Sequence, residues 1–492
     1  MDNFYVLALV LALTLLFLYN VLGNRWSTKG NLPPGPKPLP LIGNLHILDL
    51  KRPYLTLMEL SKQYGSIFTI QMGLTKMVIF TGYETVKDAL VNHSDEFGER
   101  ATVPIFHKFD NGTGLVFSRG ENWKVMRRFT IATLRDFGMG KSTIEEKIID
   151  ECDNLALRFQ TFKGEPFDNS VPIISAIGNI IVSIVLGRRM DYDDQTFLKL
   201  LSLTNENIKL VGSPMVSLYN LFPNFFGWLP GKHKTIHQNM GELNAFIRKT
   251  FVDYLKDLDV NDQRSLIDTF LVRQKEEENN PSTYFHNQNL MSLVRGLFAA
   301  GMDTTTTTVR WGLLLMIKHT DVQEKVQEEI ARVIGSSQPR YDHRMKMPFT
   351  TAVIHEIQRF ASIVPLNLPH ETTKDVHYKG YLIPAGTYVI PLLHSVLRDK
   401  TQFAEPEKFN PNHFLDARGD FVKKEAFMPF SAGRRVCAGE NLARMELFLF
   451  FTTLLQRFNF RLPPGVTDVD LTPAVGIITP PLPYKLCAIP RV

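Results

Sequence analysis

The sequence predicts a mainly α-helical protein with small β-sheets, one large domain preceded by a transmembrane helix. Three observations carry that expectation. Helical periodicity runs long at residues 145–162, 241–258, 288–319 and 440–458. Strand signals are short and sit towards the two ends, at 67–72, 77–81, 376–383 and 388–391. An uncharged apolar run at 4–22 precedes them all. The 492 residues, 44% hydrophobic and 21% charged, bury a sizeable core and exclude a disordered chain. No second composition shift and no repeat period divides the remainder.

In chain order, the first element is the expected anchor, residues 1–24. As a helix its apolar run would extend about 29 Å, close to the hydrocarbon core of a bilayer. Asn20 is its only strongly polar side chain, and the start, Met1-Asp2-Asn3, lacks the positive region of a cleaved signal peptide. Arg25 and Lys29 follow it, which puts the C-terminal side in the cytosol. Residues 25–44 are expected to be a basic, proline-rich hinge. In Leu32-Pro33-Pro34-Gly35-Pro36-Lys37-Pro38-Leu39-Pro40 the prolines remove backbone donors and fix φ, so an extended, semi-rigid connector is expected. Residues 45–492 form the expected catalytic domain.

Several chemistries are excluded early. Three cysteines, Cys152, Cys437 and Cys487, rule out a disulfide framework. The net charge of +5 is too diffuse over the chain for nucleic acid. Gly140-Lys141-Ser142 resembles the end of a P-loop, but Arg135 occupies the required upstream glycine position. His355-Glu356 opens like a zinc-protease helix, but Arg359 stands where the second histidine belongs. Neither a nucleophile elbow nor a dinucleotide-binding glycine turn occurs.

The informative stretch is Phe430-Ser431-Ala432-Gly433-Arg434-Arg435-Val436-Cys437-Ala438-Gly439. One cysteine lies between two glycines and opens a long apolar helix. Glycines let the backbone approach a flat ligand. A helix N-terminus and exposed amides hold a thiolate. Arg435 can reach an anionic group on that ligand, and Phe430 can cover the sulfur. A cysteine protease would need a histidine partner, and a structural zinc more cysteines. A thiolate ligating an iron porphyrin needs what this stretch offers.

The pattern Phe-x-x-Gly-x-Arg-x-Cys-x-Gly, filled here by Phe430, Gly433, Arg435, Cys437 and Gly439, resembles the haem-binding signature of the cytochrome P-450 family. The chain as a whole is similar to the animal microsomal group that oxidises drugs, fatty acids and steroids. The resemblance implies a single haem-thiolate domain holding haem b, with Cys437 as axial ligand.

Three further segments extend the resemblance. In Ala300-Gly301-Met302-Asp303-Thr304-Thr305, an acid beside a hydroxyl can hold water and relay protons, and a glycine opens space over a ligand. The family reading makes Asp303 and Thr304 the proton-delivery pair. Thr306 to Thr308 read as hydroxyls that bond back to the preceding helical turn. Glu356 and Arg359 share one helix face, and the family locks such a pair to an arginine downstream. Here His413 takes that place, so the triad is expected to form with a weaker third member and a structural role. Trp123 and Arg127 also share a helix face and can both reach one haem propionate. Arg100, His370 and Arg435 look like the other propionate partners, although Arg100 and His370 could equally be surface residues.

By family position, Ile105, Phe106, Phe298, Ala299, Val364, Leu366 and Ile478 are the expected substrate-pocket residues. All are apolar, so a lipophilic small molecule is expected; each could instead be core. No flavin motif is present. The resemblance therefore implies electrons from NADPH–cytochrome reductase, with cytochrome b5 as a further donor. It also implies location at the endoplasmic reticulum membrane with the domain facing the cytosol. Lys124, Arg128, Arg135, Lys423, Lys424 and Arg434 are expected to form the basic docking face. The implied reaction is insertion of one oxygen atom from O2, by hydroxylation or epoxidation. A haem-thiolate isomerase or dehydratase, and a non-enzymatic haem carrier or sensor, are the competing readings. The Asp303-Thr304 pair argues for the first reaction, since peroxide rearrangement needs no proton relay.

Overall fold

The computed structural model describes residues 5–15, 18, 31–137, 142–256 and 258–491. Residues 5–15 are helical and exposed, and no helix among the described residues is long and apolar enough to cross a membrane. The rest of the expected anchor, with Arg25 and Lys29, lies outside the described residues. The proline-rich segment is packed on the domain. Thr69 N–H donates to the Pro34 carbonyl at 2.8 Å, and a Cβ on Gly35 would lie 1.8 Å from the Thr69 carbonyl oxygen. Asn44 closes the contact by accepting from Gln71 N–H at 2.7 Å.

The helices that carry the site are α1 (Pro104–Asp110), α2 (Gly120–Asp136), α3 (Ser142–Gln160), α4 (Ser170–Val185) and α5 (Gln195–Val211). They continue with α6 (Pro214–Leu221), α7 (Lys232–Lys256), α8 (Asn287–Lys318), α9 (Pro348–Ala361) and α10 (Glu440–Arg457). The four long helices expected from periodicity correspond to α3, α7, α8 and α10. Helix α4 was not among them. It is rich in Ile and Val and buried on nearly every face, a run that reads as readily as a buried strand. Helix α8 is the axis of the molecule, packed by α4, α5, α7, α9 and α10. His286 caps it by accepting from Asn289 N–H. The main apolar core wraps these helices, with Phe298, Trp311, Leu313, Leu315 and Met316 of α8 at its centre.

The strands are β1 (Ile67–Met72), β2 (Thr75–Phe80), β3 (Glu99–Arg100), β4 (Phe167–Asp168), β5 (His370–Glu371), β6 (Val376–Tyr378), β7 (Tyr381–Ile383), β8 (Tyr388–Pro391), β9 (Phe458–Arg461) and β10 (Lys485–Pro490). They make a five-stranded sheet in the order β1-β2-β8-β5-β3, a three-stranded sheet β4-β10-β9 and the hairpin β6-β7. The expected single strand at 376–383 is this hairpin. Lys379 and Gly380, at φ 46° and 86°, turn the chain back in the conformation two-residue hairpins favour. The pairing of β3 with β5 sets Arg100 directly opposite His370.

Candidate active site

The cysteine loop is built by backbone geometry first. Gly433 has φ 70°, and a Cβ there would stand 1.7 Å from the Leu90 carbonyl oxygen, so only glycine fits. A short 3-10 turn, Gly433–Arg435, then aims the chain at Cys437, whose N–H donates to the Phe430 carbonyl at 3.0 Å. Helix α10 begins three residues later, with Gly439 at its N-cap. A Cβ on Gly439 would meet nothing within 4 Å, so this side of the loop borders open space.

Cys437 is exposed at the surface of the described chain, while burial pushes its thiol above the usual range. The side chain is accessible, and open space lies beside it at Gly439. The Gly439 N–H and the Arg127 guanidinium pull the thiol the other way, and Glu440 adds to the rise. The sequence alone suggested a depressed thiol. Without a bound cation, burial outweighs the helix end; a coordinated metal would deprotonate the sulfur outright.

Helix α8 shows the same signature. Most of its length is buried, yet Ala300 is exposed and Thr304, one turn later on the same face, is half-buried. The Thr304 hydroxyl donates to the Ala300 carbonyl at 2.6 Å, which leaves its oxygen free to accept. Asp303 is buried, and desolvation raises it to about 6; Lys209 of α5 and Arg310 oppose the rise. Gly301 does not open this space. A Cβ there would stand 2.4 Å from Ile181 Cδ1 of α4, so this glycine lets two helices approach. Thr308 bonds back to the Thr304 carbonyl at 2.9 Å, whereas the Thr306 hydroxyl is buried without a partner. Thr305 donates instead to Glu446 of α10 at 2.9 Å. Glu446 is a buried acid that desolvation lifts to about 8, and the sequence reading missed it because nothing local marks it.

A cationic cluster surrounds the cysteine loop. Arg435 is buried, donates to the Gly98 carbonyl and to Glu99 at 2.9 and 2.8 Å, and lies 3.8 Å over the Trp123 ring. Arg127 donates to the Val436 carbonyl at 2.7 Å. Arg100 meets His370 Nε2 at 2.6 Å and the Leu368 carbonyl at 3.1 Å. Neither Arg100 nor His370 is a surface residue; both are buried. Burial first, then Arg435 and Arg127, pull the Arg100 guanidinium down to about 9. Burial, with Arg127 and Arg434, pulls Arg435 to about 10 against the pull of Glu99. Arg100 Nε and Arg435 Nη1 are buried without any partner.

The expected triad is assembled. Arg359 grips Glu356 bidentately at 2.7 Å from both Nε and Nη2, with both side chains fully buried. His413 Nδ1 stands 3.1 Å from Glu356 Oε2. The remaining Arg359 donors reach the Leu397, Pro406 and Lys408 carbonyls.

The expected pocket residues are spread around α8. Phe298 is fully buried in the core, and Ile105 packs with Val216, Tyr219 and Ile236. Phe106 stacks on Phe117 at 4.2 Å. Ala299, Val364 and Leu366 are partly buried and Ile478 is buried. Val116 against Gly296, Phe117 and Ala300 belong to the same neighbourhood and were not anticipated. The apolar run 115–117 and the residue before Gly301 were the available signals. Of the expected basic face, Lys124 pairs with Glu121, Arg434 pairs with Asp95 at 2.8 Å, and Lys424 donates to the Gln402 carbonyl. Arg128, Arg135 and Lys423 are exposed.

Residues 33–488 match the family model described as Cytochrome P450 (P-450). The chain belongs to the cytochrome P-450 family. Cytochrome P-450 2K1 of Oncorhynchus mykiss is 49% identical over 491 residues, covering 99% of this chain and 97% of its own. Cytochrome P-450 2K6 of Danio rerio is 52% identical over 464 residues, covering 92% and 90%. Cytochrome P-450 2C23 of Rattus norvegicus is 46% identical over 491 residues, covering 99% of each. Membership makes the chain an oxidoreductase of the haem-thiolate monooxygenase type, with a cysteine thiolate as iron ligand. The residues fit that group. A porphyrin carries two carboxylates, and the cluster holds a surplus of buried guanidinium with two unfilled donors. Cys437 and Gly439 supply an accessible sulfur beside open space.

Proposed function

We propose that this P-450 is a membrane-associated, NADPH- and O2-dependent monooxygenase of lipophilic small molecules. The observation that supports the reading is an accessible Cys437 ringed by buried guanidinium groups with unfilled donors, in a chain whose long buried helix α8 leaves Ala300 exposed and Thr304 half-buried. Cys437 would ligate the iron, and Arg100, Trp123, Arg127, His370 and Arg435 would hold the propionates. When bound, haem with a thiolate ligand would supply reductive activation of O2, with one oxygen atom inserted into a C–H or C=C bond and the other released as water.

The chain's own residues then have defined work. Thr304 presents an acceptor oxygen to the α8 face, its own proton parked on Ala300. Asp303, poised at about 6, can take a proton from the Lys209 side and pass it towards that face near neutral pH. The apolar walls, Phe106, Ala299, Val364 and Leu366 among them, exclude water and favour an uncharged substrate. Arg128, Arg135 and Lys423 would present positive charge to an acidic reductase. The apolar segment 4–22 would tether the domain to the endoplasmic reticulum membrane, facing the cytosol.

The test is reconstitution with NADPH–cytochrome reductase and a panel of apolar substrates under isotopically labelled O2. One labelled oxygen per product, dependent on NADPH, is expected. Product formed from a hydroperoxide without NADPH, and none with it, would overturn the reading in favour of an isomerase.

A further inference from the structure

Helix α1, which carries Ile105 and Phe106, is tied at both ends. At its start, Ile105 N–H donates to Asn220 of α6 at 3.0 Å. At its end, Asp110 accepts from Arg295 of α8 at 2.6 Å. Arg295 is itself buried on α8, and the side chains it bonds are polar. Its Nη2 also reaches Ser292 at 2.9 Å and the Phe109 carbonyl at 3.5 Å, and its Nη1 donates to Asn244 of α7. One side chain therefore binds three helices: α1, α7 and α8.

The segment after α1 is stitched to the same stretch of α8. Thr113 and Ser292 hydroxyls meet at 2.8 Å, and Gly114 N–H donates to Asn289 at 2.7 Å. Gln288 donates to the Phe109 carbonyl at 3.0 Å. These are neutral bonds. The Arg295–Asp110 pair is the charged one, a single contact from Nη2 to Oδ1, and a charge-assisted bond is stronger than these neutral ones.

We propose that Arg295 is a specificity-determining positioning residue: through Asp110 it holds α1, and with it Phe106, at one setting over the substrate space. The proposal rests on the reading of that space as the substrate pocket. Arg295 acts on bulky ligands that must pass or touch α1, and hardly on small ones.

The experiment uses the full-length holoprotein, with Arg295→Met and Asp110→Asn. Soret titrations with imidazole and with 4-phenylimidazole probe a small and a bulky iron-binding base. Each variant is expected to shift the ratio of the two affinities by about tenfold, with imidazole nearly unchanged. Arg295→Met/Asp110→Asn is expected to shift the ratio no further than either single change, because both act through one contact. Amide exchange of residues 104–114 is expected to quicken in both single variants. An unchanged ratio, an equal loss for both bases, or retained exchange protection would each overturn the proposal. If Arg295→Met does not fold, the same outcomes in Asp110→Asn decide it. If the parent protein gives no thiolate-type carbonyl band, the functional reading fails separately. The exchange measurement then still supports or overturns the hold of Arg295 on α1.

Discussion

Two buried ionic clusters in this molecule look alike in composition and differ in completeness. Around Arg359, every donor finds a partner: a carboxylate fork and three backbone carbonyls, with His413 filling the other side of Glu356. Around the cysteine loop, only Arg435 of the three arginines Arg100, Arg127 and Arg435 bonds a carboxylate among the described residues, Glu99, and Arg100 Nε and Arg435 Nη1 have no partner. Taking a charge out of water costs several kcal/mol, so a cluster survives only if its partners return that cost. The first cluster is complete within the chain and is structural. The second is short of anions and, on the proposed reading, would be completed by a dianionic cofactor. The comparison teaches that a shortage of carboxylates, more than burial, sets the arginines of the cysteine loop apart from Arg359.

The largest way to break the comparison is Arg359→Ala. It strands Glu356 in the core, and we expect a loss of about 3–5 kcal/mol, read by denaturant unfolding of the apoprotein. Next is Asp303→Asn. Burial raises Asp303 above its usual 3.8 to about 6, so the folded state binds the extra proton. Its contribution is complete below 3.8 and is lost as the pH rises through about 6. The variant should therefore be flatter between those pH values and more stable at pH 7, by about 3 kcal/mol as an upper estimate. Its oxygenation rate should fall about a hundredfold.

Arg100→Leu sharpens the contrast from the other side. Removing a guanidinium that its neighbours repel should leave apoprotein stability unchanged or higher. Haem should transfer to apomyoglobin about 10–100 times faster, the value of one charge-assisted bond. The smallest effect is expected for Gly301→Ala, about 1–2 kcal/mol of destabilisation from the clash with Ile181, relieved by Ile181→Val. A loss of substrate affinity without loss of stability would instead return Gly301 to the pocket.

What could be read from the sequence follows from what is local. The cysteine loop, the Glu356–Arg359 face and four long helices are each written in consecutive residues, and all were legible. Helix α4 was not, because an Ile- and Val-rich run buried all round reads as readily as a buried strand. The β6–β7 hairpin was read as one strand because Lys379-Gly380 was not recognised as its turn. Gly301 was placed towards the ligand because a chain read alone does not show Ile181, 120 positions earlier, against it. Arg295 and Asp110 lie 185 residues apart, and neither is unusual until the fold joins them. Glu446 likewise acquires meaning only through Thr305.

The account stands on Cys437 as a thiolate beside a cationic cluster awaiting its anions. The direct measurement is the Soret band of the reduced, carbon-monoxide-bound protein, recorded beside Cys437→Ser. A strongly red-shifted band, lost in the variant, is the predicted result. A band at the position of imidazole-ligated haem in the parent protein would show that Cys437 is not the ligand, and would contradict the account.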